Sequence, residues 1–320
     1  MVALDFEKPI VELERKINEL KKFTSDKSID LSGEIRRLEE KLDHLRRDIY
    51  GRLTAWQRVQ ISRHPHRPYT LDYIQLILKD FVELHGDRAF RDDRAIITGL
   101  ARLDGQKLVV IGHQKGRDTK ENLLRTFGCA HPEGYRKALR TMRMAEKFGL
   151  PVLIFIDTPG AYPGIGAEER GQAQIIAENL MKMSGIAVPL VAVVIGEGGS
   201  GGALGIGVAD RVCVLENAYY SVISPEGCAA ILWKSSAKAA DAAQALKLTA
   251  QDLLRLKVID EIIKEPLGGA HADPEEAARS IKAVVKKYFI ELLKVPREEL
   301  VAQRYEKFRA MGVFEEIHEG

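Results

Sequence analysis

The chain has 320 residues, of which 45% are hydrophobic and 29% charged, and its formal net charge at pH 7 is +2. A chain of this length and composition buries a large core as a globular protein, and its charge balance gives no reason to expect binding to nucleic acid or to an acidic membrane. Its three cysteines lack the C-x-x-C spacing of a zinc site, its N-terminus lacks a signal-peptide pattern, and no apolar run has the length of a membrane span, so we expect a cytoplasmic protein with no metal in this chain.

Residues 1–65 are predicted to form a highly charged helical region. Apolar side chains recur there at steps of three and four residues, which is typical of a coiled-coil seam, at Ile35, Leu38, Leu42, Leu45 and Ile49. An earlier helix is indicated by Val11, Leu13, Ile17 and Leu20, and residues 25–32 are predicted to turn between the two helices. The pattern fits both a hairpin packed on its own domain and a clasp onto a partner chain. We expect the three leucines of the seam to hold a subunit interface.

The segment His-Pro-His-Arg-Pro, residues 64–68, ends these helices, and its two histidines between prolines favour a loop over a metal site. Residues 70–84 are predicted as a helix. Asp104-Gly105 stands between the apolar runs 95–103 and 107–114, which is the strongest short-range signal for a β-hairpin. The second of these strands leads into a basic loop, residues 113–120.

Residues 132–148 are predicted to form a helix that is closed by Gly149. Arg136, Arg140 and Arg143 share one face of it. A basic helix face of this kind is typical of a solvated surface. The alternative is that it receives the phosphates of a nucleotide-tailed substrate.

Two apolar runs further along the chain each end in a glycine-rich turn. Residues 152–157 lead into the turn 158–164, which contains two prolines and two glycines, and a helix over 168–184 follows. Residues 188–195 lead into the glycine tract, residues 196–207, of which seven are glycine. Runs this apolar predict strands that are buried on both faces. In a parallel sheet both turns fall on the same edge, where ligands bind.

One interpretation of the glycine tract is a dinucleotide-binding site. Gly196, Gly198 and Gly201 fit G-x-G-x-x-G, and Glu216 lies twenty residues past the first glycine, where an acid binds the ribose. Against this interpretation, only the eight residues 202–209 are left for the helix that follows, and they include Gly205 and Gly207, which weaken a helix.

Two further interpretations concern acyl chemistry and oxyanions. Residues 198–202 fit the G-x-S-x-G elbow of a serine hydrolase, with Ser200 as the nucleophile. The other interpretation is an oxyanion hole that needs no nucleophile, because glycine lets backbone N–H groups approach a ligand closely. A tight turn without chemistry is the simplest alternative.

The rest of the chain continues the alternation of strands and helices. Short strands are predicted over 211–215 and 259–263, with an alanine-rich helix over 237–248 between them, and residues 274–310 are predicted as tail helices. This alternation favours an α/β fold built on a parallel sheet.

Five blocks of residues resemble the carboxyltransferase α subunits of bacterial acetyl-coenzyme A carboxylases. The blocks are residues 112–117, 132–138, 157–164, 196–203 and 224–228. The resemblance runs from the helical N-terminus to about residue 271. It implies a crotonase-like ββα spiral with an N-terminal helical hairpin and C-terminal helices. The domains it implies are 1–65 for the hairpin, 66–265 for the carboxyltransferase domain and 266–320 for the tail.

The resemblance also implies an activity and its partners. The family transfers the carboxyl group of carboxybiotin to acetyl-coenzyme A and so makes malonyl-coenzyme A for fatty acid biosynthesis. The biotin is presented by a biotin carboxyl carrier protein, which biotin carboxylase loads. The α subunit pairs with a zinc-ribbon β subunit in an assembly of two α and two β chains. Zinc is therefore expected on the β subunit, which agrees with the cysteine spacing here.

The same resemblance assigns roles to particular residues. The backbone amides of Gly201 and Gly202 are expected to form the oxyanion hole for the biotin oxygen, and the hole for the thioester enolate is expected on the β subunit. Negative charge develops on oxygen in both steps, and no protein base or nucleophile is required. Substrate-binding residues are expected in the two turns and in the basic loop, namely Gly160, Ala161, Gly198, Gly199, Ala203, Lys115 and Arg117.

Overall fold

An eight-stranded sheet lies at the centre of the part of the chain that this computed structural model describes, residues 4–27 and 31–312. The strands are β1 Lys79–Glu83, β2 Ile96–Leu103, β3 Gln106–His113, β4 Val152–Thr158, β5 Leu190–Gly199, β6 Arg211–Leu215, β7 Tyr219–Ser221 and β8 Glu261–Ile263. The helices are α1 Lys8–Lys27, α2 Ser32–Gly51, α3 Ala55–Ser62, α4 Thr70–Ile77, α5 Thr119–Leu124, α6 Pro132–Phe148, α7 Ile165–Glu169, α8 Gln172–Gly185, α9 Ser200–Leu204, α10 Pro225–Trp233, α11 Ala239–Ala245, α12 Ala250–Arg255, α13 Pro274–Leu292 and α14 Arg297–Arg309. Short 3-10 turns occupy Asp5–Glu7, Thr126–Gly128 and Ser236–Lys238.

The sheet combines an antiparallel half with a parallel half. Its strand order is β1-β2-β3-β4-β5-β6-β8, and β7 pairs with the end of β5. The pairs up to β2–β3 are antiparallel and the later ones are parallel. The predicted hairpin is confirmed, because Leu103 pairs with Gln106 across the two-residue loop Asp104-Gly105. Both loop residues have positive φ, as a type I′ turn requires.

The core lies on both faces of the parallel strands. Every residue of β4 and of β5 is buried, so their first parts, residues 152–156 and 190–195, are continuous apolar runs rather than alternating ones. Helix α6 covers one side and is confirmed in its predicted bounds. Gly149 ends it with φ +67, a left-handed conformation that glycine adopts without a Cβ clash.

Three predicted helices have different bounds in the structure. The helix predicted over 70–84 ends at Ile77, because the next residues form the edge strand β1 and pair with β2. The helix predicted over 168–184 is interrupted at Gly171, whose φ of +81 ends α7 and begins α8. The alanine-rich helix predicted over 237–248 is the shorter α11, preceded by a 3-10 turn.

The N-terminal helices form a hairpin that is closed by its own apolar seam. Ile10, Leu13 and Ile17 of α1 are buried against Leu42 of α2, with the other seam residues packed around them. The predicted helices are confirmed. The predicted turn over 25–32 is shorter, because α1 continues to Lys27, and residues 28–30 lie outside the described part of the chain. The leucines for which we expected a subunit interface therefore pack within the chain.

The C-terminal helices pack onto the main core. Ile281, Val285 and Phe289 of α13 and Leu300 of α14 are buried in the same apolar cluster as the central strands. Arg304 of α14 is buried as well, and it fastens this helix to the body of the protein. Within the described residues, no helix is long and apolar enough to cross a membrane.

Candidate active site

The two glycine-rich turns meet at the carboxyl edge of the sheet. Strands β4 and β5 are parallel neighbours, so the turns that follow them lie side by side as predicted. A Cβ on Gly199 would stand 2.2 Å from the carbonyl oxygen of Pro159. A Cβ on Gly202 would stand 2.5 Å from the amide nitrogen of Ala161. The turns therefore touch backbone to backbone, and glycine is required at both positions.

Helix α9 begins inside the glycine tract. Ser200 opens it with φ +52, and Gly201 and Gly202 lie in its first turn. The N–H groups of a first turn have no carbonyl partner within the helix. Gly201 is partly exposed, and a Cβ on it would meet nothing closer than Ile176 at 3.7 Å. The first turn of α9 thus has backbone donors without a helical partner, and at Gly201 it lies beside open space, whereas Gly202 is buried against the other turn. Backbone donors of this kind are what an oxyanion site uses.

Buried side-chain amides fix the backbone around these turns. Gln172 donates from Nε2 to the carbonyl oxygens of Ala130 at 2.7 Å and Tyr162 at 3.2 Å. Asn179 donates from Nδ2 to the carbonyl oxygen of Gly205 at 2.8 Å, just beyond the end of α9. Helix α8 carries both amides, so it holds the two turns from one side.

Lys115 lies two residues past β3 and binds residues of both strands that lead into the turns. Its Nζ donates to Asp157 Oδ1 at 2.7 Å and to Glu197 Oε1 at 2.9 Å. Only 12% of the Lys115 side chain is exposed. Burial alone would lower the pKa of this ammonium group, but the two carboxylates outweigh burial and raise that pKa above its ordinary value. The lysine that was predicted to bind substrate thus forms ion pairs with two carboxylates of the protein itself.

Glu197 is the centre of a larger buried network. Its Oε2 accepts hydrogen bonds from Arg63 Nε at 2.7 Å and from the Tyr219 hydroxyl at 2.8 Å, while Lys115 binds Oε1. Arg63 also pairs with Glu226. Burial raises the pKa of the Glu197 carboxyl, but Lys115 and Arg63 more than reverse this and bring it down to about 2. Glu197 is therefore an anion at neutral pH and is unsuited to the role of a general base.

The other predicted basic residues are also committed to protein partners. Arg117 donates to the carbonyl oxygens of Pro65 and Arg67 at 2.9 Å, pairs with Asp72, and stacks on Tyr69. It holds the loop before α4. The arginines of α6 bind nearby groups in the same manner: Arg136 pairs with Asp87, Arg140 binds two loop carbonyls and Arg143 pairs with Glu178.

The competing interpretations of the glycine tract find little support in this geometry. Helix α9 has five residues, too short for the helix of a dinucleotide-binding unit, and Glu216 pairs with Lys264. Ser200 has the positive φ of a nucleophile elbow, yet within residues 4–27 and 31–312 no hydrogen bond joins it to a histidine. A triad needs such a base.

Sequence patterns missed the buried charges of this site. The available signal was position in the chain: Asp157 and Glu197 lie near the carboxyl ends of the buried strands β4 and β5, and Lys115 lies two residues past β3. His113, the last residue of β3, was also missed. Its ring is fully buried, and neither ring nitrogen has a hydrogen-bond partner among the residues the structure describes.

The chain matches known proteins over almost its whole length. A family model described as acetyl co-enzyme A carboxylase carboxyltransferase-like matches residues 3–312. A Thermus thermophilus protein named acetyl-coenzyme A carboxylase carboxyl transferase subunit alpha is 60% identical over 315 residues, 98% of this chain and 100% of that protein. A protein of the same name from Fusobacterium nucleatum is 60% identical over 97% of this chain and 99% of its own length.

Solved structures give more distant likenesses. A transcarboxylase 12S chain superposes with a TM-score of 0.55 at 22% identity, covering 68% of this chain and 41% of that one. A chain of a Pseudomonas malonate decarboxylase superposes with a TM-score of 0.56 at 16% identity, covering 67% of this chain and 85% of that one. These likenesses confirm the crotonase-like fold that was expected from the sequence.

Proposed function

The chain belongs to the acetyl co-enzyme A carboxylase carboxyltransferase-like family, and we propose that it is the α subunit that transfers a carboxyl group from carboxybiotin to acetyl-coenzyme A. The product is malonyl-coenzyme A, for fatty acid biosynthesis. The observation that carries this proposal is the first turn of α9, whose N–H groups have no carbonyl partner within the helix and which at Gly201 lies beside open space, next to a second turn. Such donors stabilise oxyanions, and the transfer itself needs no protein nucleophile or base.

We assign the N–H groups of Gly201 and Gly202 to the ureido oxygen of biotin. Carboxybiotin supplies the carboxyl group as CO2, and these donors stabilise the negative charge that builds on that oxygen. The absence of a side chain on Gly201 leaves room for the ring. The walls of the cleft are proposed to be formed by Gly160, Ala161, Gly198, Gly199 and Ala203.

The partners follow from the division of the chemistry. The transfer has two oxyanions, and the glycine tract supplies donors for one. We therefore propose that a β subunit supplies the thioester hole and carries the zinc, in an assembly of two α and two β chains. A biotin carboxyl carrier protein and biotin carboxylase complete the set. We place the assembly in the cytoplasm, where acetyl-coenzyme A is used for fatty acid synthesis.

The assignment of the glycine amides is tested by substitutions in the complex with a β chain. Gly202→Pro removes one donor, and loss of an oxyanion donor typically lowers turnover by about 10²–10³-fold. We expect that loss in kcat for malonyl-coenzyme A formation, with the Michaelis constant for acetyl-coenzyme A little changed. Gly201→Val keeps its donor but places a branched side chain in the cleft, so it should mainly raise the Michaelis constant for biotin.

Folding has to be checked in both variants. A side chain at residue 202 meets the backbone of residues 160–161, whereas one at residue 201 meets only Ile176. Circular dichroism and sedimentation of the complex therefore accompany the kinetics. A folded, assembled Gly202→Pro complex with normal turnover would show that this tract does not hold the biotin oxyanion.

A further inference from the structure

We propose that a bulge in β5, held in place by the ammonium group of Lys115, sets the position of the catalytic glycine amides. Lys115 is then a positioning residue rather than a substrate ligand. The bulge consists of Ile195, Gly196 and Glu197. This inference rests on the proposed function for the meaning of the glycine amides. It adds a role for a buried cation that the transfer chemistry itself leaves unused.

The bulge is visible in the pairing of β4 with β5. Ile156 pairs with Val194 and Thr158 pairs with Gly198, so the three bulge residues face the single residue Asp157. Bulges of this kind bend a strand and are frequent beside active sites. The bend falls directly before the glycines that lead into α9. Its shape therefore decides where the first turn of α9 points.

Buried charged side chains form hydrogen bonds with backbone groups of the bulge. The Glu197 amide donates to Asp157 Oδ1 at 2.9 Å, and the Ile195 carbonyl accepts from Arg67 Nε at 2.7 Å. Arg67 is itself held by the buried carboxylate of Glu265. A Cβ on Gly196 would stand 2.5 Å from Asp157 Oδ1, so only glycine fits beneath that carboxylate.

Lys115 joins this bulge to the neighbouring strands. It follows β3 and binds both Asp157 of β4 and Glu197 of β5, so one ammonium group ties the carboxyl ends of three consecutive strands. Without it, two buried carboxylates would face each other and repel. Arg63 and Tyr219 still bind the other oxygen of Glu197. We therefore expect loss of Lys115 to displace the bulge without unfolding the protein.

A displaced bulge should lower turnover and leave substrate binding largely intact. Misplacing a catalytic group by about 1 Å costs on the order of 10²-fold in rate. Lys115→Met in the complex with a β chain should therefore lower kcat by roughly 10–100-fold, while the Michaelis constant for acetyl-coenzyme A stays within about twofold of the wild-type value. Lys115→Arg restores the charge and should recover most of the turnover. The matched control is Lys107→Met, on exposed residue 107 of the same strand β3.

Hydrogen exchange tests this role of Lys115 without using the activity. In the complex, amide exchange of a peptide covering residues 196–204 should be about tenfold faster or more in Lys115→Met than in the wild type, and unchanged in Lys107→Met. Unchanged exchange together with unchanged kcat would overturn the proposal. Unchanged exchange with a raised Michaelis constant for acetyl-coenzyme A would overturn it too, in favour of a substrate ligand. A wild-type complex without carboxyl transfer would refute the proposed function, while the exchange measurement still decides the role of Lys115.

Discussion

At the scale of single residues, the glycine tract contains one residue that is not suited to its conformation. Ser200 has φ +52, a left-handed conformation that costs a residue with a side chain about 1–3 kcal/mol, and its side chain is exposed. The turn explains the glycines of the G-x-S-x-G match, because a Cβ at residue 198 would meet Tyr219 and Tyr220 and one at residue 202 would meet residues 160–161. It does not explain the serine.

We expect Ser200→Ala to keep the carboxyl transfer activity of the complex within roughly tenfold, because no acyl-enzyme forms in this chemistry. Ser200→Gly serves as the matched variant and should raise the free energy of unfolding by up to about 1 kcal/mol by relieving the strained φ. Steady-state kinetics and urea unfolding measure the two effects. A loss on the order of 10⁴-fold in folded Ser200→Ala would instead indicate a serine nucleophile.

The buried ring of His113 should make stability depend on pH. Burial, reinforced by the nearby charge of Lys115, lowers the pKa of His113 to about 3. In the unfolded chain a histidine takes up its proton near pH 6.5. Between these two pKa values the unfolded state binds more protons than the folded state. The contribution of His113 to the free energy of unfolding is therefore fully present above about pH 6.5 and is lost as the pH falls towards 3.

One such proton contributes a slope of up to about 1.4 kcal/mol in the free energy of unfolding per pH unit. We expect His113→Gln to show a correspondingly smaller slope between pH 6 and pH 4 in urea unfolding. Part of the slope should persist, because burial also lowers the pKa of His271, to about 4. The same substitution at exposed His44 is the control. Equal slopes for His113→Gln and the wild type would contradict the account of this ring.

At the scale of elements, the sequence could predict what depends on local patterns. Residues 152–156 of β4 and 190–195 of β5 are all apolar because these strands are buried on both faces, and the Asp104-Gly105 hairpin has a turn that demands those residue types. The helix predicted over 70–84 was wrong beyond residue 77. Its last residues are an edge strand that exists only because β2 is there to pair with it. Such pairing is not local, so sequence periodicity does not report it.

The same distinction applies to the site. The glycine tract was predictable because its glycines serve a backbone geometry that shows in the composition. The partners of Lys115 were not, since Asp157 and Glu197 lie 42 and 82 residues away in the chain. The basic helix face at Arg136, Arg140 and Arg143 left phosphate binding open as an alternative, whereas the structure places these charges against protein carboxylates and carbonyls.

Helix α14 is fastened by one buried guanidinium group. Arg304 pairs with both oxygens of Asp210 at 2.8 Å and donates to the carbonyl oxygens of Met183, Ile186 and Val188. Arg304→Met leaves that carboxylate buried without its cation, which typically costs about 3–5 kcal/mol. We expect this loss of stability in denaturant unfolding. Exposed Arg309→Met is the control, and an equally small effect in both variants would show that the buried guanidinium group does not hold the helix.

The N-terminal seam gives a second prediction for an element. Replacing Leu38, Leu42 and Leu45 together with Glu puts three charges against the apolar face of α1. We expect the hairpin to lose its helical signal in circular dichroism and to become sensitive to protease, while the central sheet melts as before. Weaker assembly in sedimentation with an intact hairpin would instead support the subunit interface that the sequence suggested.

At the scale of the whole molecule, the fold brings one set of backbone donors to one edge of the sheet. Helices α13 and α14 pack on the apolar core, and the two turns meet at the carboxyl ends of β4 and β5. The chemistry of carboxyl transfer develops charge on two oxygens in sequence, on biotin and on the thioester. We therefore propose that this chain holds one half of a divided active site and that a partner chain supplies the other half.

That claim is tested most directly by measuring malonyl-coenzyme A formation from a carboxybiotin donor and acetyl-coenzyme A. The purified chain is compared with the same chain co-expressed and purified with a candidate β chain. The account predicts that the chain alone is nearly inactive and that the complex transfers the carboxyl group. Robust transfer by the chain without a partner would contradict it.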